Sequence, residues 1–177
     1  MPLLLDAPNL GEREKEMLLQ CVDSTYVSTA GPFVPEFEER FARYLGAPAA
    51  VAVQSGTAAL HVALAEIGIG PGDEVIVPAL SFVASVNPVL YAGATPVLVD
   101  VDPETWTLDM AKVRKALTPR TKAVIPVHIY GNPCDMDALL EICDQHSIAI
   151  VEDATESLGG TWRGKPTGTL GEFGCFS

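Results

Sequence analysis

A chain of 177 residues, 48% hydrophobic and 19% charged, is long enough for one domain with a real core, and its composition is not that of a disordered protein. A net charge of -12 repels phosphate backbones and argues against nucleic acid as a partner, though a pocket of backbone amides still suits a small phosphate ligand. Cys21, Cys134, Cys143 and Cys175 have no C-x-x-C spacing and no His cluster beside them, which argues against zinc. With no signal peptide and no apolar run of membrane length, the expectation is a cytoplasmic protein without a membrane partner.

In chain order, the stretch from Glu12 to about Asp23 puts Met17, Leu18, Cys21 and Val22 on one helical face. After the Gly31-Pro32 turn, "PEFEERFARYLG" spaces Phe37, Phe41, Tyr44 and Leu45 as an amphipathic helix stopped by Gly46. From there β-branched runs alternate with helical ones. Strands are predicted at 50–53, 74–77, 96–99, 123–127 and 148–151, and helices near 57–67, 82–92, 109–117 and 135–145, with Asp109 and Asp135 as N-caps. Continuous apolar strands of this kind are buried on both faces, so the fold class is α/β with a mostly parallel sheet. Pro126 conflicts with its strand and predicts an edge, a bulge or an early strand end.

Ligands of open α/β sheets bind beyond the carboxyl ends of the strands. After the first predicted strand, Ser55, Gly56 and Thr57 open a helix and suit a phosphate, or simply a capped turn. The stretch is neither a G-x-G-x-x-G nor a Walker loop. Phe82 follows the second strand, where it could cover a flat ligand or pack in the core. His128, Tyr130 and Asn132 follow the fourth, in what could be an ordinary turn. Asp153 and Glu156 follow the fifth, where a buried carboxylate needs a partner: a metal, a ribose, a protonated ring nitrogen or a helix start. A phosphate cradle, an aromatic cover and a buried acid are the parts of a pyridoxal phosphate site, which also needs a lysine to anchor the cofactor. Lys15, Lys112 and Lys115 lie on polar helix faces, Lys122 precedes a strand and Lys165 reads as a solvated loop residue, so none follows a strand at the pocket edge.

The segments "GPFVPEFEERFARYLG", "VQSGTAALHVAL", "GIGPGDEVIVPALSFVASVNPVLYAGATPVLVDVDPETWTLD", "LTPRTKAVIPVHIYGNPCDMD" and "VEDATESLGG" together resemble the DegT/StrS family of nucleotide-sugar aminotransferases. The resemblance implies a three-layer, fold type I large domain of a pyridoxal 5'-phosphate enzyme, with residues 1–34 as an N-terminal helical arm and 35–177 as the first part of the cofactor-binding domain. It implies cofactor contacts from Gly56 and Thr57 (phosphate), Phe82 (ring face), Asp153 (ring nitrogen), Glu156 (phenolic oxygen) and Ser177 (phosphate), with His128 and Tyr130 toward substrate. Ser177 matches the serine of the family's F-S-F-x-x-x-K motif, so the anchoring lysine is expected five positions beyond it, in the missing half of a truncated chain that is inactive alone. The implied reaction moves an amino group from glutamate to a nucleotide-linked 4-keto-6-deoxy sugar for surface glycan synthesis, in a homodimer. Two alternatives remain: a pyridoxamine-dependent sugar dehydratase of the same family, and a non-catalytic α/β remnant.

Overall fold

The computed structural model describes residues 8–177, so the first seven residues of the expected N-terminal arm lie outside the described residues. The chain forms two compact units, one ending at Ala52 and the other spanning Val53–Ser177.

The first unit carries two helices, α1 (Glu12–Asp23) and α2 (Phe33–Leu45). The carboxylate of Glu14 accepts the Gly11 amide at 2.6 Å and closes the start of α1. The apolar stripe predicted on α1 is real in sequence, but no residue of the helix is buried, and Leu18 and Val22 stay largely exposed. α2 ends as its glycine demands, with Gly46 in the left-handed region at φ 68°. Residues 50–53 form no strand. Among the described residues no neighbouring strand supplies a ladder there: the Ala52 amide donates instead to the Glu38 carboxylate at 2.8 Å, and Val51 is exposed.

The second unit is built on a five-stranded parallel sheet in the order β2-β1-β3-β4-β7. Its strands are β1 (Glu74–Pro78), β2 (Thr95–Val99), β3 (Thr121–Val124), β4 (Ala149–Asp153) and β7 (Phe173–Cys175). A two-stranded hairpin, β5 (Thr161–Trp162) and β6 (Lys165–Pro166), precedes β7. Alternation along the strands feeds two cores. Val75, Val77, Ala123, Ile125 and Val151 pack with Leu60 and Leu64 of α3 (Gly56–Glu66) and Val89 of α4 (Asn87–Tyr91). Ile76, Val124 and Ile150 face the other way, toward Val113 of α5 (Met110–Ala116) and Leu139 and Ile142 of α6 (Met136–His146). The result is three layers, helix–sheet–helix.

The caps form as predicted. Asp109 accepts from the amides of Ala111 and Lys112, and Asp135 accepts from Ala138. β3 ends early, at Val124, and Pro126 contributes only its carbonyl, which accepts the Asp153 amide at 2.9 Å. The helix predicted over 82–92 is interrupted. Phe82 is extended, Val83–Ser85 make one 3-10 turn, and α4 begins only at Asn87, followed by Pro88. β1 lies at the switch point of the sheet, since β2 adds on one side of it and β3, β4 and β7 add on the other.

Candidate functional site

Ser55 caps α3, its hydroxyl accepting the Ala58 amide at 3.2 Å. It does so without the preceding strand expected from the sequence. The amides of Gly56 and Thr57 fall in the first turn, where a helix offers no internal acceptor. Gly56 is buried, and its missing side chain matters: a Cβ there would stand 2.9 Å from Thr155 Cγ2 and 3.1 Å from Ser177 Cβ. Three segments distant in sequence, at 56, 155 and 177, thus meet at the head of α3.

Asp153 ends β4 and is 3% exposed. Its Oδ1 accepts the Thr155 hydroxyl at 2.7 Å and the Thr155 amide at 3.3 Å. Its Oδ2 accepts the hydroxyl of Ser85 at 2.6 Å. Ser85 is fully buried and lies 2.6 Å from the Ser81 hydroxyl. Phe82 sits between these serines beyond the carboxyl end of β1, with its ring 74% exposed. Glu156 is exposed, and its Oε2 accepts the Tyr130 amide at 2.6 Å. Tyr130 adopts a left-handed backbone at φ 50°, and its exposed ring meets Trp106 edge-on at 6.2 Å.

His128 takes a different place from the substrate-facing one expected. It is wholly buried, and both ring nitrogens are spent inside the protein. Nδ1 accepts the Cys134 amide at 3.1 Å, which leaves the proton on Nε2, 2.9 Å from the Glu152 carboxylate. Sequence reasoning missed Glu152, which looks like a mere neighbour of Asp153. It too is fully buried, and it accepts from the amides of Gly168 at 2.7 Å, Leu170 at 2.6 Å and Gly171 at 2.7 Å besides His128. Burial raises its pKa, but the hydrogen bonds from His128, Gly171, Gly168 and Leu170 outweigh this and hold the carboxyl below its ordinary value. The only sequence hint was an acid inside an apolar strand pattern.

Cys134 and Cys175 are buried, and burial pushes each thiol up to about 12, with Asp153 and Glu152 adding to the effect at Cys175. Neither thiol is a nucleophile at neutral pH. Lys122 lies near the amino end of β3 and Lys165 is exposed on the hairpin, while Lys15 and Lys112 pair with Glu12 and Asp100. No cluster of metal-ligating side chains occurs among the described residues, and none of the described helices is long and apolar enough to cross a membrane.

These features place the chain in a known family: it belongs to the DegT/DnrJ/EryC1/StrS aminotransferase family, matched over residues 8–177. It is 53% identical over 171 residues to GDP-perosamine synthase of Caulobacter vibrioides, covering 97% of this chain and 46% of that protein. It superposes on a Streptococcus pneumoniae protein solved in its pyridoxal-phosphate form with a TM-score of 0.89, at 34% identity, over 96% of this chain and 47% of that one. It also superposes on GDP-4-keto-6-deoxymannose-3-dehydratase (ColD) with bound GDP-perosamine, with a TM-score of 0.90 at 32% identity, over 98% of this chain and 46% of that one. The chain thus spans about half the length of the relatives it matches. The fold is that of the fold type I pyridoxal phosphate enzymes, and the family's cofactor is pyridoxal phosphate. The residues present are compatible in chemistry with such a group: the first-turn amides of Gly56 and Thr57 have no acceptor within their helix, and Asp153 is a buried carboxylate.

Proposed function

We propose that the protein bearing this chain is a pyridoxal-phosphate-dependent nucleotide-sugar aminotransferase. It moves an amino group from glutamate to the keto carbon of a nucleotide-linked 4-keto-6-deoxy sugar, as a cytoplasmic homodimer serving surface glycan synthesis. The observation that carries the reading is the meeting of Gly56, Thr155 and Ser177 at the head of α3, with Asp153 hydrogen-bonded to Thr155 beside them. In this reading the amides of Gly56 and Thr57 and the hydroxyl of Ser177 hold the phosphate. Phe82 covers the ring, Asp153 pairs with the ring nitrogen, and Glu156 stands by the phenolic oxygen while its carboxylate holds the Tyr130 amide toward the substrate side. The bound cofactor supplies an electron sink, and Asp153 sustains it by keeping the ring nitrogen protonated. The names of the two relatives that carry GDP favour a guanosine diphosphate sugar.

The reading is tested by incubating the protein with pyridoxal phosphate, glutamate and GDP-4-keto-6-deoxymannose and weighing the sugar product by mass spectrometry. Conversion of the keto group to an amine, lost in Asp153→Asn, is the expected result. Loss of water instead would make the protein a dehydratase, in keeping with its likeness to ColD. An unchanged sugar, with or without bound cofactor, would overturn the enzymatic reading.

A further inference from the structure

We infer that Ser85 is a positioning residue that acts on the cofactor ring through Asp153, as the middle link of a directed hydroxyl chain from Ser81 to the acid. The inference rests on the proposed pairing of Asp153 with the ring nitrogen. A carboxylate only accepts hydrogen bonds, so the 2.6 Å contact between Ser85 and Asp153 Oδ2 takes the one proton of the Ser85 hydroxyl. The 2.6 Å contact between Ser81 and Ser85 must then carry the proton of Ser81. The order is fixed: Ser81 donates to Ser85, and Ser85 donates to Asp153. On the opposite oxygen, the hydroxyl and amide of Thr155 complete the set. Three donors fill three of about four acceptor sites on the carboxylate, which leaves a single direction for a fourth.

The Ser85–Asp153 bond also spans 68 residues of sequence, because it joins the turn after β1 to the end of β4. Phe82 lies inside that turn, flanked by the two serines. The Ser85 bond that helps fix the plane of Asp153, and the Ser81–Ser85 bond behind it, therefore also close the turn that presents the aromatic ring. Helix propensity explains none of this, since Ser85 ends a single 3-10 turn and caps nothing. A wholly buried hydroxyl with both its donor and its acceptor engaged is costly to place and has a defined effect on its acceptor.

The test compares pyridoxal phosphate with its 1-deaza analogue, which keeps the phosphate, the aldehyde and the ring face but has carbon in place of the ring nitrogen. Dissociation constants are measured by equilibrium dialysis for the wild-type protein, Ser85→Ala, Ser85→Thr and Asp153→Asn. Ser85→Ala is expected to weaken pyridoxal phosphate about tenfold, the effect of one charge-assisted hydrogen bond, and to leave the 1-deaza analogue within about twofold of wild type. Ser85→Thr, which keeps the hydroxyl, is expected to restore most of the loss. Equal weakening of both ligands would reduce Ser85 to a packing residue and overturn the inference. If Asp153→Asn also fails to distinguish the two ligands, the pairing of Asp153 with the ring nitrogen falls as well. If Asp153→Asn distinguishes them and Ser85→Ala does not, the pairing stands and only the role of Ser85 is lost. Should Ser85→Ala not fold, Ser81→Ala removes the outer donor at a half-exposed position. It is expected to give a smaller loss confined to pyridoxal phosphate, and the absence of any selective loss would count against the inference.

Discussion

Glu152 and Asp153 are adjacent acids at the end of one strand, and they do opposite work. Strand geometry sends them to opposite faces of the sheet, Glu152 on the side of Ile150 and Asp153 on the side of Val151. Glu152 receives three backbone amides and an imidazole N–H, a set that fills a carboxylate. Asp153 receives two hydroxyls and one amide and keeps a site open. One acid is consumed in holding the 168–171 loop to the sheet. The other is held in place and left able to bind. Burial alone does not separate the two acids, whereas counting their donors does.

The sharpest way to break the contrast is to remove each acid in turn. Glu152→Ala strands three part-buried amides and the buried His128, and is expected to cost about 3–5 kcal/mol of stability, the range for removing one member of a buried pair, read from the urea midpoint. His128→Ala strands the Cys134 amide and takes one donor from Glu152, at a cost of about 3 kcal/mol by the same measurement. Gly56→Ala drives a methyl against Thr155 and Ser177 and should cost about 1–2 kcal/mol, while weakening cofactor binding in a dialysis assay. Asp153→Asn keeps the shape and some acceptors, so its stability should stay within about 1 kcal/mol of wild type, while pyridoxal phosphate binding falls more than tenfold.

Acid offers a further test of Glu152. Glu152 has its folded-state pKa depressed below an ordinary 4.5, so its stabilisation is present above that value and lost as pH falls through the folded value. Urea midpoints between pH 7 and pH 3 should fall on the acid side of 4.5, and Glu152→Gln should flatten that limb. A shallower limb will remain from Glu74, held low by Thr118 and Arg120, and from Asp100, held low by Lys112.

The parts legible in the sequence were those governed by local rules. The strands at 74–77, 96–99 and 148–151 carry unbroken apolar runs, and Asp109, Asp135 and Gly46 end helices by chemistry confined to one turn. Partner-dependent features were not legible. The apolar run at 50–53 has a strand's pattern but no strand to pair with among the described residues, and the α1 stripe has a helix's pattern but none of its residues is buried. β7 is three residues with a glycine at its centre, too short to give a periodicity, and it becomes a strand only by pairing with β4. Gly56, Thr57, Asp153 and Ser177 stood out in the sequence as residues following predicted strands or matching a family motif, and the structure brings Gly56 and Ser177 together at the head of α3. Ser85 and Glu152 were not found, because their partners are 68 residues away in one case and in a loop of later sequence in the other.

The short β7 strand makes this region intolerant of insertion. Asp153 faces Cys175 in register, and Gly174 fits against the backbone of Gly168 with no room for a Cβ. A single residue added or deleted between 168 and 174 would slide β7 by about 3.3 Å and turn Cys175 from one core to the other. It would also bring a side chain onto Gly168 and carry Ser177 away from the head of α3. The spacing from Gly168 to Ser177 therefore works as a ruler, and its length constrains the chain more tightly than most of the residues that mark it.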